Sequence, residues 1–123
     1  MAGSLYDLRE NLNFMAHAYD KDIMVVEAAY NWAPAEYRNN PAPFPESPEG
    51  QKDFLEEVNR AVMAAPNGRG IGVFYWEPAV ASRSVGGRVG GRGFFGTDGN
   101  ALPVMTVFDK FTRGKPAVAR RPQ

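Results

Sequence analysis

The stretch Ile23–Trp32, IMVVEAAYNW, decides how this chain is read. Its four opening residues are apolar without alternation. That pattern suits a strand buried on both faces, as in a parallel sheet. The run ends on a carboxylate, Glu27, and the aromatics Tyr30 and Trp32 follow. The plan recurs in Gly72–Ala79, GVFYWEPA, where an apolar strand meets Trp76 and then Glu77. Two buried strands thus end on a glutamate, each with a tryptophan close by.

Working outward, Leu5, Leu8, Leu12, Met15, Ala16 and Tyr19 recur at helical spacing before the first strand. Asp7, Arg9, Glu10 and Asn13 lie between them, so this segment reads as an amphipathic helix with Ser4 as its N-cap. From about Asn31 to Glu46 the chain carries Pro34, Pro41, Pro43 and Pro45, which excludes both a helix and a central strand there. Ser47 as N-cap, Pro48 at the first helical position and Glu49 against the helix dipole then open a second helix. Phe54, Leu55, Val58, Ala61, Val62 and Ala65 form its apolar face. The segment Pro66–Gly70, PNGRG, stops this helix and turns the chain into a strand over Ile71–Tyr75. Helix, strand, helix, strand is the order of parallel βα units joined by right-handed crossovers. Beyond Pro78 the chain is rich in glycine. Thr97–Pro103 reads as a turn, with Pro103 opening a last helix whose inner face is Val104, Val107, Phe108 and Phe111.

Composition narrows the options. A chain of 123 residues, 44% hydrophobic and 23% charged, suffices for one globular domain with a real core. No apolar run approaches the roughly 18 residues of a membrane span, and the polar opening does not resemble a signal peptide. Without cysteine, disulfides and thiolate metal sites are excluded. The net charge is zero but uneven, since twelve of the fourteen acids precede Arg83 and eight of the fourteen bases do not. A solvated basic tail explains this as well as an anionic partner does. His17 is the sole histidine, so neither a triad nor a histidine metal site is available. Gly86–Gly93, GGRVGGRG, is similar to RGG segments that contact RNA, but it holds no stacking aromatic and is expected to be a surface loop. No nucleic-acid partner is expected.

In parallel α/β folds ligands bind at the carboxyl ends of the strands. Glu27 and Glu77 sit at such ends with aromatic rings beside them. Rings pack against the C–H groups of sugars, and paired carboxylates perform glycoside hydrolysis. On pattern alone, a glutamate at a strand end more often caps a helix or pairs with an arginine than performs catalysis.

A resemblance carries the reading further. The blocks LYDLRENLNFMAHAYDKDIMVVEAAYNW, SPEGQKDFLEEVNRAVMAAPNGRGIGVFYWEPA and DGNALPVMTVF together resemble the carboxy-terminal part of glycoside hydrolase family 53, the arabinogalactan endo-β-1,4-galactanases. The resemblance runs from about Leu5 to Phe111. It implies an α/β fold comprising the last βα units, about strands seven and eight, of a TIM (β/α)8 barrel. Residues 1–113 would be the barrel part and 114–123 a flexible basic tail. It also implies retaining endo-hydrolysis of β-1,4-galactan in type I arabinogalactan, without a cofactor, in an extracellular or periplasmic setting. Glu27 matches the family's nucleophile at the end of the seventh strand, and Trp76 matches the sugar platform after the eighth. Glu77 would line the site wall, Tyr30 and Trp32 would lie beside the cleft in the seventh loop, and Gln51 would be structural. Phe94 and Phe95 would pack in the core or at the barrel bottom.

Three departures bear on these expectations. A full barrel takes about 250 residues, and the family's acid/base, an Asn-Glu pair ending the fourth strand, has no counterpart here. The chain is therefore expected to be inactive alone, and exposed barrel edges would favour self-association. Some bacterial members hold calcium in the loop after the seventh strand. This loop has only Glu36 and Glu46 as acids, so no metal is expected. Last, Val80–Gly96 is rich in glycine and arginine, unlike the aromatic-bearing loop of familiar members. The alternative is a non-catalytic barrel remnant, or a weak carbohydrate-binding module, that needs a partner chain. A different hydrolase of the same clan, such as a β-mannanase, fits the motifs less well.

Overall fold

The structure is a computed structural model and describes residues 4–34, 41–80 and 91–111. The first helix, α1 (Leu5–Tyr19), opens on a capping box. The Asp7 N–H donates to the Ser4 hydroxyl at 3.1 Å, and the Ser4 N–H donates to the Asp7 carboxylate at 2.9 Å. Asp20 closes α1 in the left-handed region at φ 47°. The second helix, α2 (Pro48–Met63), starts at Ser47, whose hydroxyl accepts from the Gly50 N–H at 3.1 Å. Both helix starts agree with the sequence expectation.

Between them runs β1 (Ile23–Ala28), which pairs in parallel with β2 (Gly70–Tyr75). The register joins Ile23 to Gly70, Met24 to Gly72, Val25 to Val73 and Ala28 to Tyr75. It slips between Ile23 and Met24 and again between Val25 and Ala28. At Gly70 a Cβ would lie 1.7 Å from the Val62 carbonyl oxygen, so only glycine lets β2 begin beneath the end of α2. Pro103–Thr106 forms a 3-10 turn that leads into α3 (Val107–Phe111).

The helices cover one face of this sheet. Leu12 of α1 meets Ala61 and Val62 of α2, with Leu8, Ile23, Val25 and Val73 packed against them. A second cluster joins Leu55, Phe94, Val104 and Val107, with Val73, Tyr75 and Leu102 at its margin. Phe94 is thus core, as expected. It lies at the carboxyl end of the strands rather than the bottom, since its N–H donates to the Pro78 carbonyl at 2.7 Å. Phe108 was expected to face inward but is 40% exposed, because the short α3 turns only Val107 fully inward.

The other sheet face differs from the expectation of strands buried on both sides. Val26 is 70% exposed and Phe74 59%. The described residues form a sheet of two strands and leave both of these side chains largely uncovered. The expected basic tail, residues 114–123, and most of the GGRVGGRG stretch lie outside the described residues. No described helix is long and apolar enough to cross a membrane.

Candidate active site at the carboxyl ends of the strands

β1 and β2 are parallel, so the segments that follow them emerge at one end of the sheet. Glu27 is the penultimate residue of β1, and its side chain is exposed. It lies within the stretch where the register slips. Trp76 follows β2 directly and is 46% exposed. Its N–H donates to the Ala28 carbonyl at 2.8 Å, which fastens Trp76 beside the end of β1. Glu77 is exposed and adopts φ 49°, a left-handed conformation that most residues avoid. Its carbonyl accepts from the Val80 N–H at 3.3 Å, so the chain turns away from the sheet just after Trp76.

Tyr30 departs from the expectation. It is 3% exposed, and its ring stacks on Phe54 at 4.4 Å between centroids. Its hydroxyl donates to the Phe44 carbonyl at 2.6 Å and accepts from the Phe44 N–H at 3.0 Å. The hydroxyl is spent on holding the proline-rich loop and the ring on packing against α2, so no surface remains for a sugar. Trp32 is partly exposed, yet its indole N–H is buried without an acceptor among the described residues. It can offer ring carbon to a ligand but no hydrogen bond. The Trp32 backbone N–H donates to the Gly91 carbonyl at 2.7 Å, and the Asn31 side chain accepts from the Arg92 guanidinium at 3.2 Å. The segment after β1 is thus tied to the segment that returns after β2.

Gln51, expected to be structural, is the hub of this end of the sheet. It is fully buried, and its Nε2 lies 2.8 Å from the Arg92 carbonyl and 3.0 Å from that of Gly93. The Tyr75 hydroxyl lies 3.1 Å away and the Tyr30 carbonyl 3.3 Å. Tyr75 extends the network. Its hydroxyl accepts from the Tyr30 N–H at 2.9 Å and reaches the Arg92 carbonyl at 2.7 Å and the Tyr30 carbonyl at 3.0 Å. Three hydrogens, two from Gln51 and one from Tyr75, serve three buried carbonyls. Burial pushes the Tyr75 phenol pKa up against the lowering effect of its hydrogen bonds, so it remains a neutral donor at ordinary pH. Tyr75 was not singled out from the sequence. The available signal was a phenol closing an apolar strand, where a buried O–H needs a partner.

Among the described residues no group of three potential ligands is placed to hold a metal ion. Glu36 lies outside them.

Residues 1–108 match the model of Glycosyl hydrolase family 53. An arabinogalactan endo-beta-1,4-galactanase of Thermothelomyces thermophilus is 34% identical over 120 residues, which cover 89% of this chain and 34% of that protein. A structure of a fungal beta-1,4-galactanase superposes with a TM-score of 0.73 at 33% identity, over 87% of this chain and 33% of its own. The GH53 catalytic domain of Ignisphaera aggregans superposes with a TM-score of 0.72 over 86% of this chain and 34% of its own, and at 24% identity it speaks for the fold alone. The chain spans about a third of the length of these proteins, and its fold is part of a TIM barrel. It belongs to glycosyl hydrolase family 53.

Proposed function

We propose that the chain supplies the last two strands, about the seventh and eighth, of a retaining endo-β-1,4-galactanase, and with them the nucleophile half of its active site. The observation that carries this is the placement of Glu27, exposed at the carboxyl end of a parallel strand whose neighbour is followed directly by the half-exposed Trp76. Family membership and likeness to named galactanases support the choice of substrate.

In the complete barrel, a Glu27 oxygen attacks the anomeric carbon as the bond to the leaving oxygen breaks. A carboxylic acid from an earlier strand gives its proton to that oxygen. Water, deprotonated by the same group, then displaces Glu27 and releases the sugar with retained configuration. The half-exposed Trp76 ring receives the C–H face of a galactose unit. Glu77 lines the wall beside it, and Trp32 adds apolar surface. Tyr30 acts only by holding the loop.

The bare sheet face favours a further statement about the isolated chain. Val26 and Phe74 are exposed where the rest of a barrel would cover them. Without that cover the chain is inactive and associates with copies of itself.

A hybrid enzyme tests both points, with residues 4–111 replacing the matching third of the Thermothelomyces thermophilus galactanase. The hybrid should release reducing sugar from β-1,4-galactan, and Glu27→Gln should lower that rate at least about a thousandfold. The isolated chain should release none and elute from a sizing column as more than a monomer. Galactan hydrolysis by the hybrid that persists in Glu27→Gln would refute the assignment.

A further inference from the structure

We propose that Gln51 is a positioning residue: its buried carboxamide, acting with the Tyr75 hydroxyl, sets where Glu27 stands relative to Trp76. This rests on the function proposed above and adds to it a residue that touches no sugar.

The strand ladder alone does not place Glu27. The register slips between Val25 and Ala28, and Glu27 lies inside that interval. Its position depends instead on contacts made just after it. The Ala28 carbonyl holds the Trp76 N–H, and two residues later the Tyr75 hydroxyl holds both the N–H and the carbonyl of Tyr30. Tyr75 is also the residue before Trp76. One phenol oxygen therefore joins the segment leaving the nucleophile to the segment entering the platform.

Gln51 holds that phenol in place. It sits in the first turn of α2, where its backbone N–H donates to the Ser47 carbonyl at 2.8 Å. The Ser47 cap thus fixes the base from which the carboxamide reaches inward. Nε2 then gathers the Tyr75 hydroxyl and the Tyr30, Arg92 and Gly93 carbonyls at one point. Arg92 in turn holds Asn31, and the neighbouring Gly91 holds Trp32.

The chemistry of the position is restrictive. Surrounding carbonyls call for two neutral hydrogens, which an amide provides. A carboxylate would set oxygen against oxygen, and an ammonium would bury an unpaired charge. The amide oxygen, Oε1, is itself buried without a partner among the described residues. It is tolerated here because the donors are needed where they are.

The test uses the hybrid enzyme with three variants: Gln51→Met, close in size but apolar; Gln51→Glu; and Tyr75→Phe, the mildest. Each is assayed well below its melting temperature. The expected result is a fall in kcat of about tenfold or more with KM within about twofold, because a small displacement of a reacting group costs rate more than binding. The Gln51→Glu variant should recover relative to the parent as pH is lowered, since the neutral carboxyl donates one hydrogen. Variants that melt earlier yet keep the parent's kcat, with no pH-dependent recovery, would overturn the inference and leave Gln51 a packing residue. A parent hybrid without Glu27-dependent hydrolysis would overturn the proposed function instead, and this inference with it.

Discussion

The two ends of the sheet are fastened in opposite ways. Where the strands begin, Arg69 bonds Asp20 at 2.6 Å and Asp22 at 3.4 Å, and the Ile23 N–H donates to the Arg69 carbonyl at 2.7 Å. The Asp20 side chain is 76% exposed, so water and salt compete for this clamp. Where the strands end, neutral groups shut away from water do the fastening around a Gln51 that is fully buried. A charged clamp at the surface tolerates movement and partial loss. A buried neutral network has few substitutes for any member, because each lost donor strands an acceptor. The end that carries Glu27 and Trp76 is therefore the one where a single substitution strands a buried polar group.

The comparison can be broken most sharply at Gln51. In the hybrid, Gln51→Met leaves two buried carbonyls without a donor, at about 1–3 kcal/mol each, and relieves the empty Oε1 by about as much as one of them. A net loss of about 1–3 kcal/mol is expected from denaturant unfolding. A loss near zero would place the two ends on the same footing.

An intermediate case sharpens the contrast. Glu56 of α2 is 8% exposed and accepts from Lys110 at 2.6 Å, with Lys52 at 3.7 Å and Arg60 at 3.8 Å nearby. The hydrogen bond from Lys110 holds its pKa below the ordinary 4.5 against the opposing effect of burial. The folded state thus binds the proton less readily than the unfolded state does. The resulting stability is complete above the ordinary value and is lost as pH falls through the lowered one. Acid unfolding of Glu56→Gln should be less steep with pH below about 4.5, and an unchanged slope would show that Lys110 contributes nothing.

The smallest effect is expected at Arg69. Substitution by alanine should lower the melting temperature of the hybrid by no more than about 2 °C, and 1 M salt should erase most of the difference. A larger shift that persists in high salt would make this clamp resemble the one at the other end.

What the sequence made legible was local. Ser4 with Asp7, and Ser47 with Pro48, mark helix starts because capping is settled within a few residues. The glutamates at the strand ends were visible because an apolar run has to stop at a polar group. The Gln51 network was not visible, since its partners lie 21 to 42 residues away and meet only once α2 crosses between the strands. Tyr30 misled for a related reason. An aromatic near a cleft reads as a ligand platform, and only the fold reveals that the proline-rich loop already occupies its hydroxyl. The uncovered sheet face followed from chain length, since two strands cannot close a barrel, whereas the unbroken apolar run alone records burial on both sides without saying which polypeptide does the burying.

The outer edges of β1 and β2 carry one last consequence. The packing and hydrogen bonds described here are internal to a single continuous segment, in which one helix links the two strands. Toward its surroundings the segment offers strand backbone and apolar side chains such as Val26 and Phe74. Backbone groups pair without regard to side-chain identity, and apolar surfaces accept many partners of similar volume. What fixes the geometry of this segment therefore lies within it, and the surface it turns outward selects its neighbours by shape rather than by identity.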